Sequence, residues 1–379
     1  MSHPALDVPQ SERSRALCNL ANELDNAGRW VEAYAAYADA LEIDPLNGNA
    51  AGNRAQLLLH RLKTSPQQAG HIEAVYELWA RQAKDLRAET VRIAGEKTAQ
   101  LWDELPLSDE PVVGHLTHDG DLDDPYQQWI VRNRLALAPT VEGLGGDGSR
   151  WDSADILQAV QDNDDGLPPQ IFAAINVLKA EFIVARRLAF RGEEMTFTAD
   201  GSQHPDDTGD YGSTGDGAVY GEGPATLLLA QRSALDLLDK IAVAANEHFK
   251  SGLKPERVDF AKYWRDPKTK EMRPAVSTVS GRRARLALAE VQRDLAADAL
   301  YPTARLLRNA GTHRLVHGTF NEPTGATKET FSTVDLDDLQ LSTIEALWVA
   351  RASFLYLIDL IDAETPKIEG EFAPLISQK

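Results

Sequence analysis

The chain has 379 residues, of which 43% are hydrophobic and 26% charged, a composition typical of a globular protein with two or three domains. Its single cysteine, Cys18, excludes a disulfide framework and a cysteine-based zinc site. Without a signal-like segment or an apolar run of about 18 residues, the chain is expected to be cytoplasmic and to make no membrane contact. The formal charge of −19 argues against a protein that coats nucleic acid indiscriminately, because its field repels phosphates.

Residues 1–105 are predicted to form helical hairpins. Small residues at regular spacing let two antiparallel helices approach, in a pattern that resembles one tetratricopeptide repeat and the start of a second. About three repeats are needed for independent stability, so these hairpins are expected to pack on the rest of the chain. A docking surface for a partner protein and a purely structural cap fit the pattern equally well. The matching residues are Leu17, Leu20, Ala21, Leu24, Gly28, Trp30, Ala33, Tyr37, Ala40 and Pro45.

Residues 106–165 are predicted to be an acidic linker and connecting segment. Eight Asp and Glu and no Lys or Arg lie between 103 and 124. The spacing of Asp119, Asp121 and Asp123 suggests calcium, but an EF-hand loop needs Gly where Asp124 stands and Glu where Ile130 stands. The glycines at 143, 145 and 148 have the spacing of a dinucleotide-binding loop. No apolar strand precedes them, so a flexible loop is predicted instead.

Residues 166–365 are predicted to form an all-α bundle, followed by a tail at 366–379. Apolar residues recur three and four positions apart in four segments, which is the period of a helix with one buried face. Between the first two segments the density of Gly, Asp, Thr and Ser predicts a mobile loop at 199–223. The four helical segments are 168–188, 225–249, 282–307 and 334–360.

The stretch 305–314 combines groups that suit the cleavage of an RNA phosphodiester. His313 titrates near neutral pH, so it can accept a proton from a ribose 2′-hydroxyl or donate one to the leaving oxygen. Arg308 can stabilise the charged phosphorane with its planar guanidinium, and Asn309 can orient either group. An unbroken helix would place Arg308 and His313 about 140° apart, so Gly311 is expected to end the helix and bring them together. An Arg and a His at a helix end are also explained as capping or surface groups.

Further cations surround this stretch. Seven arginines lie between 281 and 317, against three acidic residues, which indicates a basic patch in an acidic chain. Arg305, Arg314 and His317 are therefore candidate substrate-binding residues. His317 is also explained as a surface residue.

The pattern of Arg308, Asn309 and His313 resembles the Arg-polar-x(3–5)-His signature of the HEPN superfamily. Other matches are to the branch of this superfamily with tetratricopeptide repeats in front, and they extend the resemblance over about 115–320. At 140–142 this chain has Thr-Val-Glu where the branch often has Leu-Asn-Asp, so a role for that turn does not carry over. The other matching residues are Tyr126, Trp129, Asn133, Arg134, Leu135, Pro139, Leu178, Lys179, Glu181, Phe182, Ala185, Arg186, Leu237, Leu238, Asp239, Lys240, Ile241, Ala242, Asn246, Phe249, Val258, Phe260 and Trp264.

The resemblance implies an all-α fold and a homodimer whose two motifs line one cleft. It implies a metal-independent endoribonuclease of a toxin, stress or antiphage system, with RNA as substrate, Arg308 and His313 as catalytic residues and no cofactor. A non-catalytic HEPN module that binds a nucleotide, RNA or a protein is the alternative, with the repeat as adaptor. A toxin silenced by a separately encoded partner is a third possibility. The scattered histidines give no clear metal-ligand spacing, so no metal site is expected.

Overall fold

The computed structural model describes residues 8–64, 69–109, 122–144, 151–156, 169–199, 201–215, 217–266, 268–294, 315–320, 327–328 and 331–364. Contacts divide the chain into two compact units, Met1–Leu157 with Asp362–Lys379, and Gln158–Ile361. This division falls inside the predicted connecting segment. The predicted three-part organisation with a tail remains a prediction.

The described part of the first unit is helical. Antiparallel packing of α1 on α2 and of α3 on α4 is the hairpin arrangement that the repeat pattern predicts. Alanines with no exposed surface, such as Ala21 and Ala40, let the backbones of α1 and α2 approach. Gly28, at φ 86°, makes the turn between these helices. The helices are α1 (Gln10–Asn26), α2 (Trp30–Ile43), α3 (Gly48–Thr64), α4 (Ala69–Asp85), α5 (Arg87–Ala94), α6 (Glu96–Asp103) and α7 (Pro125–Arg132).

The second unit is built on long helices, which confirms the all-α fold class. Its two central helices begin close to the predicted positions, because their apolar period runs over many turns. The helices are α8 (Gln170–Thr196), α9 (Glu222–His248), α10 (Phe260–Tyr263), α11 (Pro274–Ser277), α12 (Arg282–Asp294) and α13 (Leu336–Glu364), with a 3₁₀ turn at Pro255–Arg257.

Helices α8 and α9 form an antiparallel pair. Near the end of α8, Gly192 lies so close to Leu227 of α9 that a side chain at this glycine would overlap it. Nearer the other end, Lys240 of α9 donates to Glu181 of α8 at 2.6 Å. Helix α13 joins this pair through Ser342, whose Oγ accepts a hydrogen bond from Gln231 Nε2 at 2.8 Å.

A small four-stranded sheet, which the sequence analysis did not predict, lies beside the helices. Its order is β1-β2-β4-β3, with β2 and β4 parallel and the outer pairs antiparallel. Val334, predicted as the first residue of the last helix, lies in β4 instead, and α13 begins at Leu336. A β-branched residue next to a helix is compatible with either period, so the boundary was misplaced. The strands are β1 (Ala218–Val219), β2 (Leu315–Thr319), β3 (Thr327–Lys328) and β4 (Phe331–Asp335).

Candidate functional site

Most of the predicted site lies outside the described residues. The positions of Arg305, Arg308, Asn309, His313 and Arg314 all fall within 295–314, between the end of α12 and the start of β2. The described elements therefore define how the chain enters and leaves the stretch that carries the motif. Of the six predicted residues, only His317 can be placed.

His317 is a half-buried member of β2. It is paired in register with Thr333 of β4, and its Nε2 lies 3.0 Å from the Thr333 Oγ1. This contact with the neighbouring strand restricts the orientation of the ring, which favours a structural contribution to the sheet. Its predicted contact with substrate remains a prediction.

The chain that leaves the motif is anchored at once by β2. Leu227, Val334, Leu336 and Leu339 form a buried cluster that joins the sheet to α9 and α13. Gly318 of β2 lies so close to Leu336 that a Cβ at this position would overlap the leucine side chain. The backbone that follows His313 is thus fixed against the helices of the same unit.

The chain that enters the motif comes from α12, which is held by polar contacts. Glu290 of α12 accepts a hydrogen bond from Arg265 at 2.7 Å. Arg285 donates to the carbonyl oxygens of Val276 and Val279, which lie in α11 and just after it. Helix α12 is therefore fixed at several points along its length up to Asp294, where the described residues before the motif end.

Two charged residues of the predicted core helix have structural partners. Asp239 accepts a hydrogen bond from the Phe260 amide at 2.8 Å, which attaches α10 to α9. Lys240 forms an ion pair with Glu181. These contacts give both residues a structural role in the packing of the helices.

The Glu181–Lys240 pair lies at the rim of an open groove between α8 and α9. The groove has a volume of about 580 Å³ and is lined mainly by apolar side chains. Val177, on its wall, is 53% exposed. The lining residues are Pro169, Gln170, Ile171, Ala173, Ala174, Val177, Leu178, Glu181, Lys240, Val243, Ala244, Glu247 and His248.

The Gly- and Asp-rich stretch before α9 is organised around one carboxylate. Asp207 accepts hydrogen bonds from the amide of Gly209 at 3.0 Å, the amide of Glu222 at 2.7 Å and the Tyr211 hydroxyl at 3.0 Å. The two amide donors, at Glu222 and Gly209, hold the pKa of Asp207 below its usual value. The residue therefore caps the first turn of α9 from a distant position in the sequence.

In the first unit, the helical hairpins contact a later segment of the chain itself. The Tyr34 hydroxyl donates to Glu142 at 2.6 Å, and the Arg54 guanidinium pairs with the same carboxylate. Arg54 also lies between two rings, 4.2 Å from the centroid of Tyr34 and 4.1 Å from that of Trp79. Burial raises the Tyr34 pKa well above its usual value. These contacts favour the structural interpretation of the hairpins.

A second basic region next to the motif was not predicted from the sequence, because cations were counted only from residue 281. Eight further Lys and Arg lie between 250 and 280. A count over the whole irregular segment before α12 would have revealed this region.

Within the described ranges, no group of three or more His, Cys, Asp or Glu side chains is arranged to hold a metal ion. Over the same part of the chain, every helix is too short or too polar to cross a bilayer.

Comparison with known families gives one match. The family model described as LA2681-like HEPN matches residues 162–364, more than half of the chain. The matched region contains α8, α9, the sheet and α13, together with the positions of Arg308, Asn309 and His313. No curated protein and no solved structure matches the chain.

Proposed function

Because the chain belongs to the LA2681-like HEPN family, we propose that it is a metal-independent endoribonuclease in which Arg308 and His313 carry the chemistry. Membership of this family supports an RNase-like or nucleotide-binding module. The observation that carries the finer proposal is the Arg308-Asn309 and His313 pattern, which falls inside the matched region. A module that only binds would not require this set of side chains.

The proposed reaction is transesterification within RNA. The ribose 2′-oxygen attacks the adjacent phosphorus while the bond from phosphorus to the 5′-oxygen breaks, giving a 2′,3′-cyclic phosphate and a 5′-hydroxyl. An imidazole removes the 2′-hydroxyl proton or protonates the leaving 5′-oxygen. Arg308 offers two parallel donors to the charged phosphorane, and Asn309 orients one of the two groups. Arg305, Arg314 and His317 are proposed to hold the neighbouring phosphates.

The proposal includes a homodimer with both motifs in one cleft. One motif supplies one imidazole, whereas concerted transfer needs a base at the 2′-hydroxyl and an acid at the 5′-oxygen, so two motifs supply both. Sedimentation at low micromolar concentration is expected to show a dimer. Mixtures of Arg308→Ala and His313→Ala protomers would then reveal whether the motifs cooperate. A monomer that cleaves RNA at full rate would contradict the shared cleft and leave the two catalytic residues assigned.

The proposal is tested by incubating total RNA and tRNA with purified protein in EDTA. The wild type is expected to cleave and to leave 2′,3′-cyclic phosphate ends, since the motif supplies both an acid–base group and a charge stabiliser. His313→Ala should lower the rate by about 10² to 10⁴ because a general acid or base is lost. The matched control is His60→Ala, at an exposed position of α3, which should keep wild-type activity. Activity that is abolished by EDTA and restored by magnesium would contradict the mechanism.

The second candidate is a module that binds a nucleotide or RNA without cleaving it. The family assignment supports this function as directly as it supports cleavage. RNA that is retained by the wild type in a binding assay, but stays intact on a gel, would favour the binding module. The nuclease proposal also includes a biological setting. We propose a cytoplasmic protein of a toxin, stress-response or antiphage system, which a separately encoded partner silences.

A further inference from the structure

Positive charge is concentrated in one segment of an acidic chain. We define the basic module as residues 250–294, of which the structure describes 250–266 and 268–294. It contains twelve Lys and Arg and six Asp and Glu, a formal charge of +6, whereas the whole chain has a formal charge of −19. This concentration of positive charge creates a local electrostatic potential that is opposite in sign to that of the rest of the protein.

An aromatic core gives the basic module a fixed shape. Trp264 has no exposed surface, and its ring packs edge-to-face on Tyr263 and Phe260, with centroids 4.7 and 5.9 Å away. Burial raises the pKa of Tyr263 to about 12, and its hydroxyl lies 2.9 Å from the Ser251 Oγ. With the Phe260 amide bound to Asp239 of α9, the module is attached to the helix pair. Its surface charges therefore have a rigid support.

Three of the acidic residues in the module serve its own structure. Asp259 caps α10 by accepting from the Lys262 amide at 3.0 Å. Asp266 accepts from the amides of Lys268 and Thr269 at 2.8 and 3.0 Å, and these bonds lower its pKa. Glu290 forms ion pairs with Arg265 and Arg293. These carboxylates therefore stabilise local turns and helices, and through Asp259 and Glu290 they also pair with three cations, Lys262, Arg265 and Arg293.

Six cations of the module remain at the surface. None of them forms an ion pair with any residue that the structure describes. Arg282 stands in the first turn of α12, which has no acidic residue, although a helix N-terminus favours negative charge. The positive charge of Arg282 therefore lies, unpaired with any described residue, at the positive end of the helix dipole. The six residues are Lys250, Lys254, Arg257, Lys268, Lys270 and Arg282.

We propose that the basic module is a docking surface for the phosphate backbone of RNA. The proposal rests on the proposed function and names where the substrate is held outside the cleavage motif. Charge complementarity favours phosphates as the ligand, and ten residues separate the module from the motif stretch at 305–314. An anionic membrane is disfavoured, because no large hydrophobic side chain described in the module is exposed. Contacts to phosphates carry no sequence information, so this surface contributes affinity rather than base preference.

The test measures binding of a fluorescent single-stranded RNA to full-length protein carrying His313→Ala, so that cleavage does not interfere. Lys268→Gln with Lys270→Gln is the variant, since both lysines are exposed on one turn. The matched control is Lys63→Gln with Lys97→Gln in the first unit, which removes the same net charge. Two lost phosphate contacts should lower the slope of log affinity against log salt by about 1.4, because each contact on a single strand contributes about 0.7. The control pair should leave the slope unchanged.

Three results would overturn the proposal: an unchanged slope in the module variant, equal losses in both variants, or competition by polyglutamate or phosphatidylserine vesicles as strong as that by RNA. The last result would show a general polyanion surface. Failure of the proposed nuclease is distinguishable from failure of the docking surface. A slope shift without any cleavage by the wild type supports the surface alone, whereas cleavage with an unchanged slope leaves the nuclease and removes the surface.

Discussion

Arginine has opposite surroundings in the two units of this protein. In the first unit Arg54 is 3% exposed, is enclosed by Tyr34 and Trp79, and is neutralised by Glu142. In the basic module of the second unit, Arg282 is exposed on the first turn of a helix and has no ion pair with the described residues. The first arginine stabilises the fold, and the second is available to a ligand.

The difference shows why a count of charges is a poor guide to function. The repeat-like hairpins suggested a docking face, yet one of their arginines is occupied by a segment 88 residues away in the chain. The irregular module suggested no function, yet three of its carboxylates are committed to local structure, and six of its twelve cations form no ion pair with the described residues. The availability of a charge, rather than its presence, separates a docking surface from a structural contact.

The comparison is tested most strongly by removing Arg54. Arg54→Met should destabilise the first unit by about 3–5 kcal/mol, because it leaves the partly buried Glu142 without its cation. Thermal or urea unfolding measures the loss. Arg282→Met, in the basic module, is the matched control. It should change the stability little, because Arg282 is exposed and has no ion pair with the described residues. Equal stability of the Arg54 variant and the wild type would show that the enclosed arginine is not structural.

The second prediction separates the planar guanidinium of Arg308 from its charge. Arg308→Lys keeps the charge and should lower the cleavage rate by about 10², the size expected when one preorganised donor to developing charge is lost. RNA binding should weaken less than turnover. Arg92→Lys, at an exposed position of α5, is the control and should cleave at the wild-type rate. Wild-type turnover in the Arg308 variant would mean that the two parallel donors of the guanidinium are not used and that the positive charge alone suffices.

The sequence predicted the parts of the fold that depend on long periodic patterns. Helices α8 and α9 were found because each repeats its apolar face over 27 residues. Strands β2 and β4 have five residues each, too few for the two-residue period to stand out, and Val334 was absorbed into the following helix. No local pattern connects Arg54 with Glu142, because the contact depends on how distant segments pack. For the site, the sequence supplied a motif and a resemblance. The structural roles of the carboxylates in the basic module could not be predicted, because they follow from hydrogen bonds that only the structure shows.

Asp207 is a half-buried charge that is committed to structure, and it offers a third test of the comparison. The amides of Glu222 and Gly209 chiefly hold the pKa of Asp207 below its usual value. The ionised carboxylate therefore stabilises the folded protein at any pH above the pKa that Asp207 has in the unfolded chain. This stabilisation is lost as the pH falls through the lower pKa of the folded state. Hydrogen-exchange protection of these two amides should therefore persist at neutral pH and decrease only below about pH 3.8, near the ordinary aspartate value. Asp207→Asn should reduce that protection already at neutral pH, because a neutral amide oxygen is a weaker acceptor. Asp210→Asn, at an exposed position three residues away, is the control and should leave both amides protected. Loss of this protection in the wild type already at pH 6 would show that the Asp207 carboxylate does not hold the start of α9. Asp207 would then be an uncommitted charge, like Arg282 in the basic module.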